Sequence, residues 1–247
     1  MAPVSWRLAL VGLTLFAGGE TAYADNYADP SGFSFDYPAG WTPITRAFSE
    51  NATRIMPETM RTWLANNKVD LSRIAVVLVR NGGDDFLENM NVIVDSQQIP
   101  VNEQTMKMAI EQVQQRCATT NMMIENIQGH VQKVGQHDAV VLDSQVRFPG
   151  VPQLLRQRQV MLPGGGKTFF VTCTSKAESY NTYQPTFEQI LTSFQVPPPV
   201  AQPTGISGQS FDWKQVLIMG LVGGVIGGLF GTVKWITQKF SSKADRD

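Results

Sequence analysis

The chain has 247 residues, 43% of them hydrophobic, and its 20 Lys and Arg nearly balance its 21 Asp and Glu. With a net charge of −1 and no basic run longer than a pair, it has no field suited to nucleic acid or another acidic polymer, and no nucleic-acid partner is expected. Its length, less the terminal segments, is enough for one domain with a sizeable core.

Arg7 precedes the apolar run Leu8 to Ala17, and Ala22-Tyr23-Ala24 places small residues where a signal peptidase reads. Residues 1–24 are therefore predicted to be a secretory signal peptide cut after Ala24. No Cys follows the apolar run, which argues against a lipid-anchored form. An extracytoplasmic domain is expected over 25–196.

Within that domain, Gly32 to Tyr37 alternates as a short strand, and Pro38-Ala39-Gly40-Trp41 turns it. A helix is expected around Glu58 to Asn66. Ile74 to Arg80 and Met90 to Asp95 read as a hairpin across the acidic turn Asn81 to Asp85. Asn102 suits an N-cap, ahead of a helix whose Met106, Ile110, Val113 and Cys117 recur on one face. Met122 to Ser175 reads as four strands in a meander, separated by Gly135-Gln136, Pro149 to Pro152 and Pro163 to Gly166. A last helix carries Tyr183, Phe187, Ile190, Leu191 and Phe194 on one stripe, with Pro185 in its first turn. Antiparallel strands with separate helices make the class α+β.

Residues 197–212, PPPVAQPTGISGQSFD, have the composition of a linker, stiff in its proline half and flexible in its Gly/Ser half. Next comes an uncharged stretch, Val216 to Val233, flanked by Trp213 and Trp235; 213–236 is predicted to be a single transmembrane helix. Gly220, Gly223, Gly224, Gly227, Gly228 and Gly231 fall on one arc of that helix, a glycine zipper that lets a second helix approach closely. The basic residues after the span, Lys234, Lys239, Lys243 and Arg246, outnumber Lys214 before it. The tail 237–247 is thus expected in the cytoplasm, and the protein to be single-pass type I with a periplasmic or equivalent outer domain.

The opening YADPSGFSFDYPAGW (Tyr27 to Trp41), with the closing KTFFVTCTS and YQPTFEQILTSFQV, resembles the PsbP family and its bacterial DcrB-type relatives. The resemblance implies an α/β/α sandwich around an antiparallel sheet, in a family of mostly non-enzymatic binding and assembly proteins. It carries over no functional residue by motif.

Gly164-Gly165-Gly166-Lys167-Thr168 lacks the first glycine of a P-loop and runs straight into strand-like sequence, so it reads as a hairpin turn. His130 and His137 have no Cys or His at a metal-ligand spacing. No catalytic residue, cofactor or metal is assigned. Pairing Phe148 with Gln153 across the Pro149 to Pro152 turn puts Val140, Leu142, Val146, Leu155 and Met161 on an apolar face. Asp143, Arg147, Arg156 and Arg158 then share the opposite face, which is either solvated or a docking surface. A three-residue turn, Gly164 to Gly166, would bring Phe169, Val171 and Cys173 onto the apolar face. Cys117 and Cys173 would then lie on packed faces in an oxidising compartment, and a disulfide between them is expected.

The function expected is a membrane-anchored binding or assembly factor, its partners being the lipid bilayer and either a membrane protein or a second copy of itself. The alternative is an enzyme with a pocket in the outer domain.

Overall fold

The computed structural model describes residues 23–45, 58–66, 71–81, 88–148 and 151–201. The predicted leader, nearly all of it, the membrane helix with Gly220, Gly223, Gly224, Gly227, Gly228 and Gly231, and the tail 237–247 lie outside those residues. So does most of the acidic turn after Asn81. Among the described residues, no helix is long and apolar enough to cross a membrane.

Among the described residues, nine strands form two sheets. β1 (Tyr23–Ala28) and β2 (Ser34–Pro38) pair as a hairpin. β3 (Trp41–Thr45), β4 (Ile74–Arg80), β5 (Asn89–Asp95), β6 (Met123–Val134), β7 (His137–Arg147), β8 (Leu155–Gly164) and β9 (Lys167–Lys176) make a seven-stranded antiparallel sheet. Its order is β3-β4-β5-β9-β8-β7-β6. Accompanying it among the described residues are the α-helices α1 (Glu58–Asn66), α2 (Glu103–Thr120) and α3 (Tyr180–Ser193). After β5 the chain crosses through α2 to the far edge, and the meander β6 to β9 walks back until β9 pairs with β5. The mostly antiparallel sheet with few helices is the expected α+β class.

α2 starts where expected because the Asn102 side chain accepts the Thr105 N–H at 2.8 Å, satisfying a donor that the helix itself leaves unpaired. Its Met106, Val113 and Cys117 pack on one face of the sheet with Val140, Leu142 and Met161. α3 and the β1–β2 hairpin cover the opposite face. There Phe33, Phe35 and Phe194 stack nearly parallel with centroids 5.4 to 6.3 Å apart, and Phe169 meets Phe33 edge-on at 5.7 Å. The sheet thus separates two cores.

Four details differ from the sequence reading. β1 was not expected: its YADNYA carries little apolar signal, and it is held by pairing with β2 and by the Asn26 amide donating to Asp36 Oδ1 at 2.7 Å. Its unbulged pairs, Asp25↔Tyr37 to Ala28↔Ser34, all lie beyond the expected cut after Ala24. α3 begins at Tyr180, so Pro185 sits inside the helix rather than in its first turn.

The third difference is the β8–β9 turn. Gly164 pairs with Lys167, leaving a two-residue loop of Gly165 and Gly166 at φ +57° and +78°. Both angles are left-handed, as a primed hairpin turn requires, and glycine adopts them without strain. One residue fewer in the loop reverses every side chain of β9. Phe170 joins the α2 face, while Phe169, Val171 and Cys173 go to the α3 face.

The predicted disulfide fails for the same reason. Cys117 and Cys173 are free, buried and in separate cores on opposite sides of the sheet. Burial pushes the Cys117 thiol up to about 11 and raises the Cys173 thiol as well.

Fourth, the chain does not leave the domain at Val196. Gly165 N–H donates to Pro198 O at 3.0 Å, and the Gln98 side chain clamps Val200 both ways, accepting its N–H at 3.0 Å and donating to its carbonyl at 2.8 Å. A Cβ on Gly164 would sit 2.4 Å from Pro197 O, so only glycine admits this close approach. The first part of the predicted linker is a strap docked on the domain.

Candidate functional site

The β7–β8 register is the one the Pro149 to Pro152 turn predicts. Asp143 lies opposite Arg158, and Gln145 opposite Arg156. The expected apolar residues Val140, Leu142, Val146, Leu155 and Met161 all point to the α2 side, leaving the arginines on the α3 side.

They do not form one open surface there, because Tyr180 and Glu188 of α3 meet part of it. Arg158 makes a two-pronged bond to Asp143, from Nε to Oδ1 at 2.9 Å and from Nη2 to Oδ2 at 3.1 Å, and its Nη1 meets Glu188 of α3. Its side chain is only 17% exposed. Arg147 stands apart and exposed, its Nε 2.7 Å from Glu125 Oε1 on β6. Arg156 meets no carboxylate among the described residues. Its guanidinium lies over the ring of Tyr180, 4.1 Å from the centroid.

The neighbouring end of α3 is also tied down. Ser179, its N-cap, does not cap the helix; its hydroxyl donates to Glu88 Oε1 at 3.1 Å, and Glu88 Oε2 accepts Arg80 Nε at 2.7 Å. Arg80 in turn stands 5.2 Å from the centre of the Tyr183 ring. Tyr180 is fully buried, and its burial, first, then the neighbouring Cys173, raise its phenol to about 12. Tyr180 and Cys173, buried beneath this end of the domain, therefore keep their protons at neutral pH.

The sequence reading missed a second group. On the α2 side, at the same end of the sheet, Asn91, Thr172, Thr174, Gln157, Gln159 and Ser144 form a polar band across β5, β9, β8 and β7. All are buried. Gln157 Nε2 donates to Thr174 Oγ1 at 3.2 Å, but Asn91 Oδ1 and Thr172 Oγ1 have no partner among the described residues. The available signal was polar residues two apart, at Gln157/Gln159, interleaved with Arg156 and Arg158, and at Thr172/Thr174. Such spacing puts both on one face, and burial of both faces hides it from an alternation test.

His130 is exposed and His137 opens β7; among the described residues, no group of three or more His, Cys, Asp or Glu could hold a metal ion.

An antiparallel sheet with a core on each side, closed by an aromatic hairpin and a C-terminal helix, defines an α+β domain of the PsbP type. The PsbP family model matches residues 21–196, and the chain belongs to that family. Its members are accessory or binding proteins. Among solved structures, the chain is similar to cyanobacterial PsbP (CyanoP) from Synechocystis sp. PCC 6803, at 17% identity and a TM-score of 0.45 over 74% of this chain and 98% of that one. It is also similar to LpqN, involved in cell envelope biogenesis of Mycobacterium tuberculosis, at 13% identity and a TM-score of 0.40 over 70% and 91% of the two chains. No curated protein matches it.

Proposed function

We propose that this protein is a membrane-anchored accessory factor that works by protein–protein contact and carries out no catalysis. The family match over 21–196 is the observation that carries this reading. Residues 1–24 act as a cleaved leader and 213–236 as the anchor, which leaves the domain outside the cytoplasm and 237–247 inside. The anchor's glycine face packs against a partner helix or a second copy, while the domain presents the Arg147, Arg156 and Asp143–Arg158 end to a partner. Because the strap is docked as far as Val200, 201–212 remain to connect it to the anchor, a span of at most about 40 Å.

The test is purification of the full chain from membranes in mild detergent. A stoichiometric partner or a discrete oligomer supports the reading, and Gly224→Leu with Gly228→Leu should weaken the association without preventing insertion, since Leu favours the bilayer. A monomer that brings down no partner contradicts it.

A further inference from the structure

We infer that Arg156 is the anchor of the docking surface, and that what it receives is a carboxylate of an acidic side chain on a protein partner. The inference rests on the binding reading and sharpens it to one residue and one chemistry.

Charge bookkeeping singles Arg156 out. Among the described residues, Arg61, Arg73, Arg80, Arg147 and Arg158 each meet a carboxylate, and Arg156 does not. Three arginines at this end are paired, Arg158 with Asp143 and Glu188, Arg80 with Glu88, and Arg147 with Glu125. An anionic membrane or a polyanion needs several uncompensated cations, whereas one guanidinium that meets no carboxylate among the described residues, beside arginines that do, matches one carboxylate.

Its geometry is prepared for that. The ring of Tyr180 lies beneath the guanidinium, is itself fully buried, and packs on Phe187 at 6.2 Å, so the platform is fixed. A guanidinium held over a ring keeps N–H donors for a carboxylate, which it can take with two parallel bonds. Arg156 is partly exposed, so those donors are accessible at small desolvation cost. Arginine is also among the residues enriched where binding energy concentrates.

Position argues for a protein rather than lipid. The strap, the described segment that precedes the proposed anchor, docks beside Gly165 and Gln98. Arg156 lies eight residues back along β8 from Gly164, about 26 Å away at the opposite end of the sheet.

The full chain, crosslinked in its native membranes and then purified, provides the test. Arg156→Glu is compared with wild type and with Lys133→Glu, a change at the exposed Lys133–Asp138 pair of the β6–β7 hairpin. Thermal melts check that each variant folds, and Arg156→Gln substitutes if Arg156→Glu does not. The expected result is a captured protein that falls roughly tenfold or more in Arg156→Glu and stays within about twofold of wild type in Lys133→Glu. Changing the partner's Asp or Glu at the crosslinked site to Arg should restore capture by Arg156→Glu. Undiminished capture by Arg156→Glu overturns the inference and leaves the binding reading standing. Loss that no acidic-to-Arg change in the partner restores overturns the carboxylate. Absence of any captured protein with wild type overturns both readings.

Discussion

The two faces of the sheet are built from the same strands yet hold the fold by different means. Under α3 the core is aromatic, with Phe33, Phe35 and Phe194 stacked and Phe169 against their edge. Under α2 it is aliphatic at one end and polar at the other, where Asn91 Oδ1 and Thr172 Oγ1 are buried without partners. Dispersion and apolar burial reward the first arrangement at every contact, whereas the second carries desolvation that nothing among the described residues offsets. The first face should therefore carry more of the stability, and the second should hold reserve that a substitution can release.

The largest expected effect breaks the aromatic face. Phe194→Ala removes a fully buried ring that two others stack on, and should cost about 3–5 kcal/mol in chemical denaturation. A loss below about 1 kcal/mol would mean that the stack is not the keystone of that core.

Alkali acts on both faces together. The folded thiols hold their protons, Cys117 to about 11, whereas in the unfolded chain they ionise near their ordinary value of 9.0. Above about pH 9 the unfolded state therefore binds fewer protons, and stability falls with rising pH by about 1.4 kcal/mol per unit for each thiol. Denaturation midpoints at about pH 8 and about pH 10.5 check this. The fall should shrink in Cys117→Ala and Cys173→Ala, each measured against its own value at the lower pH.

How far these faces were legible in the sequence depended on the turns. Between β7 and β8 the alternation is clean, with Val140, Leu142 and Val146 set against Asp143, Gln145 and Arg147, so one register satisfies both faces and the structure has it. In β9 the run Phe169-Phe170-Val171 is apolar on consecutive positions, so either register fills a core. Three consecutive glycines then allow a two- or a three-residue turn, and choosing three placed Cys173 on the wrong side. The arginine end was legible as a cross-strand set, but Glu188 and Tyr180 reach it from a helix that periodicity does not orient toward β8. The docked strap was illegible because its bonds go through the backbone and Gln98, which no composition rule flags.

The smallest effect sharpens the contrast. Thr172→Val replaces an unpartnered buried hydroxyl by a methyl of similar shape, and should leave stability unchanged or raise it by up to about 1 kcal/mol. A clear loss in the same denaturation assay would show that the hydroxyl is satisfied and that the polar band is not a reserve.

That the sheet separates two independent cores is tested most directly by counting thiols. The chain has two cysteines, and each lies in a different core. The purified protein, unfolded without reductant and treated with a thiol label, should take up two labels per chain, while the native protein at neutral pH labels slowly because both thiols are buried and protonated. Zero labels on unfolding, two once reductant is added, would mean that Cys117 and Cys173 are joined on one side of the sheet, contradicting the two-residue turn and the two cores built on it.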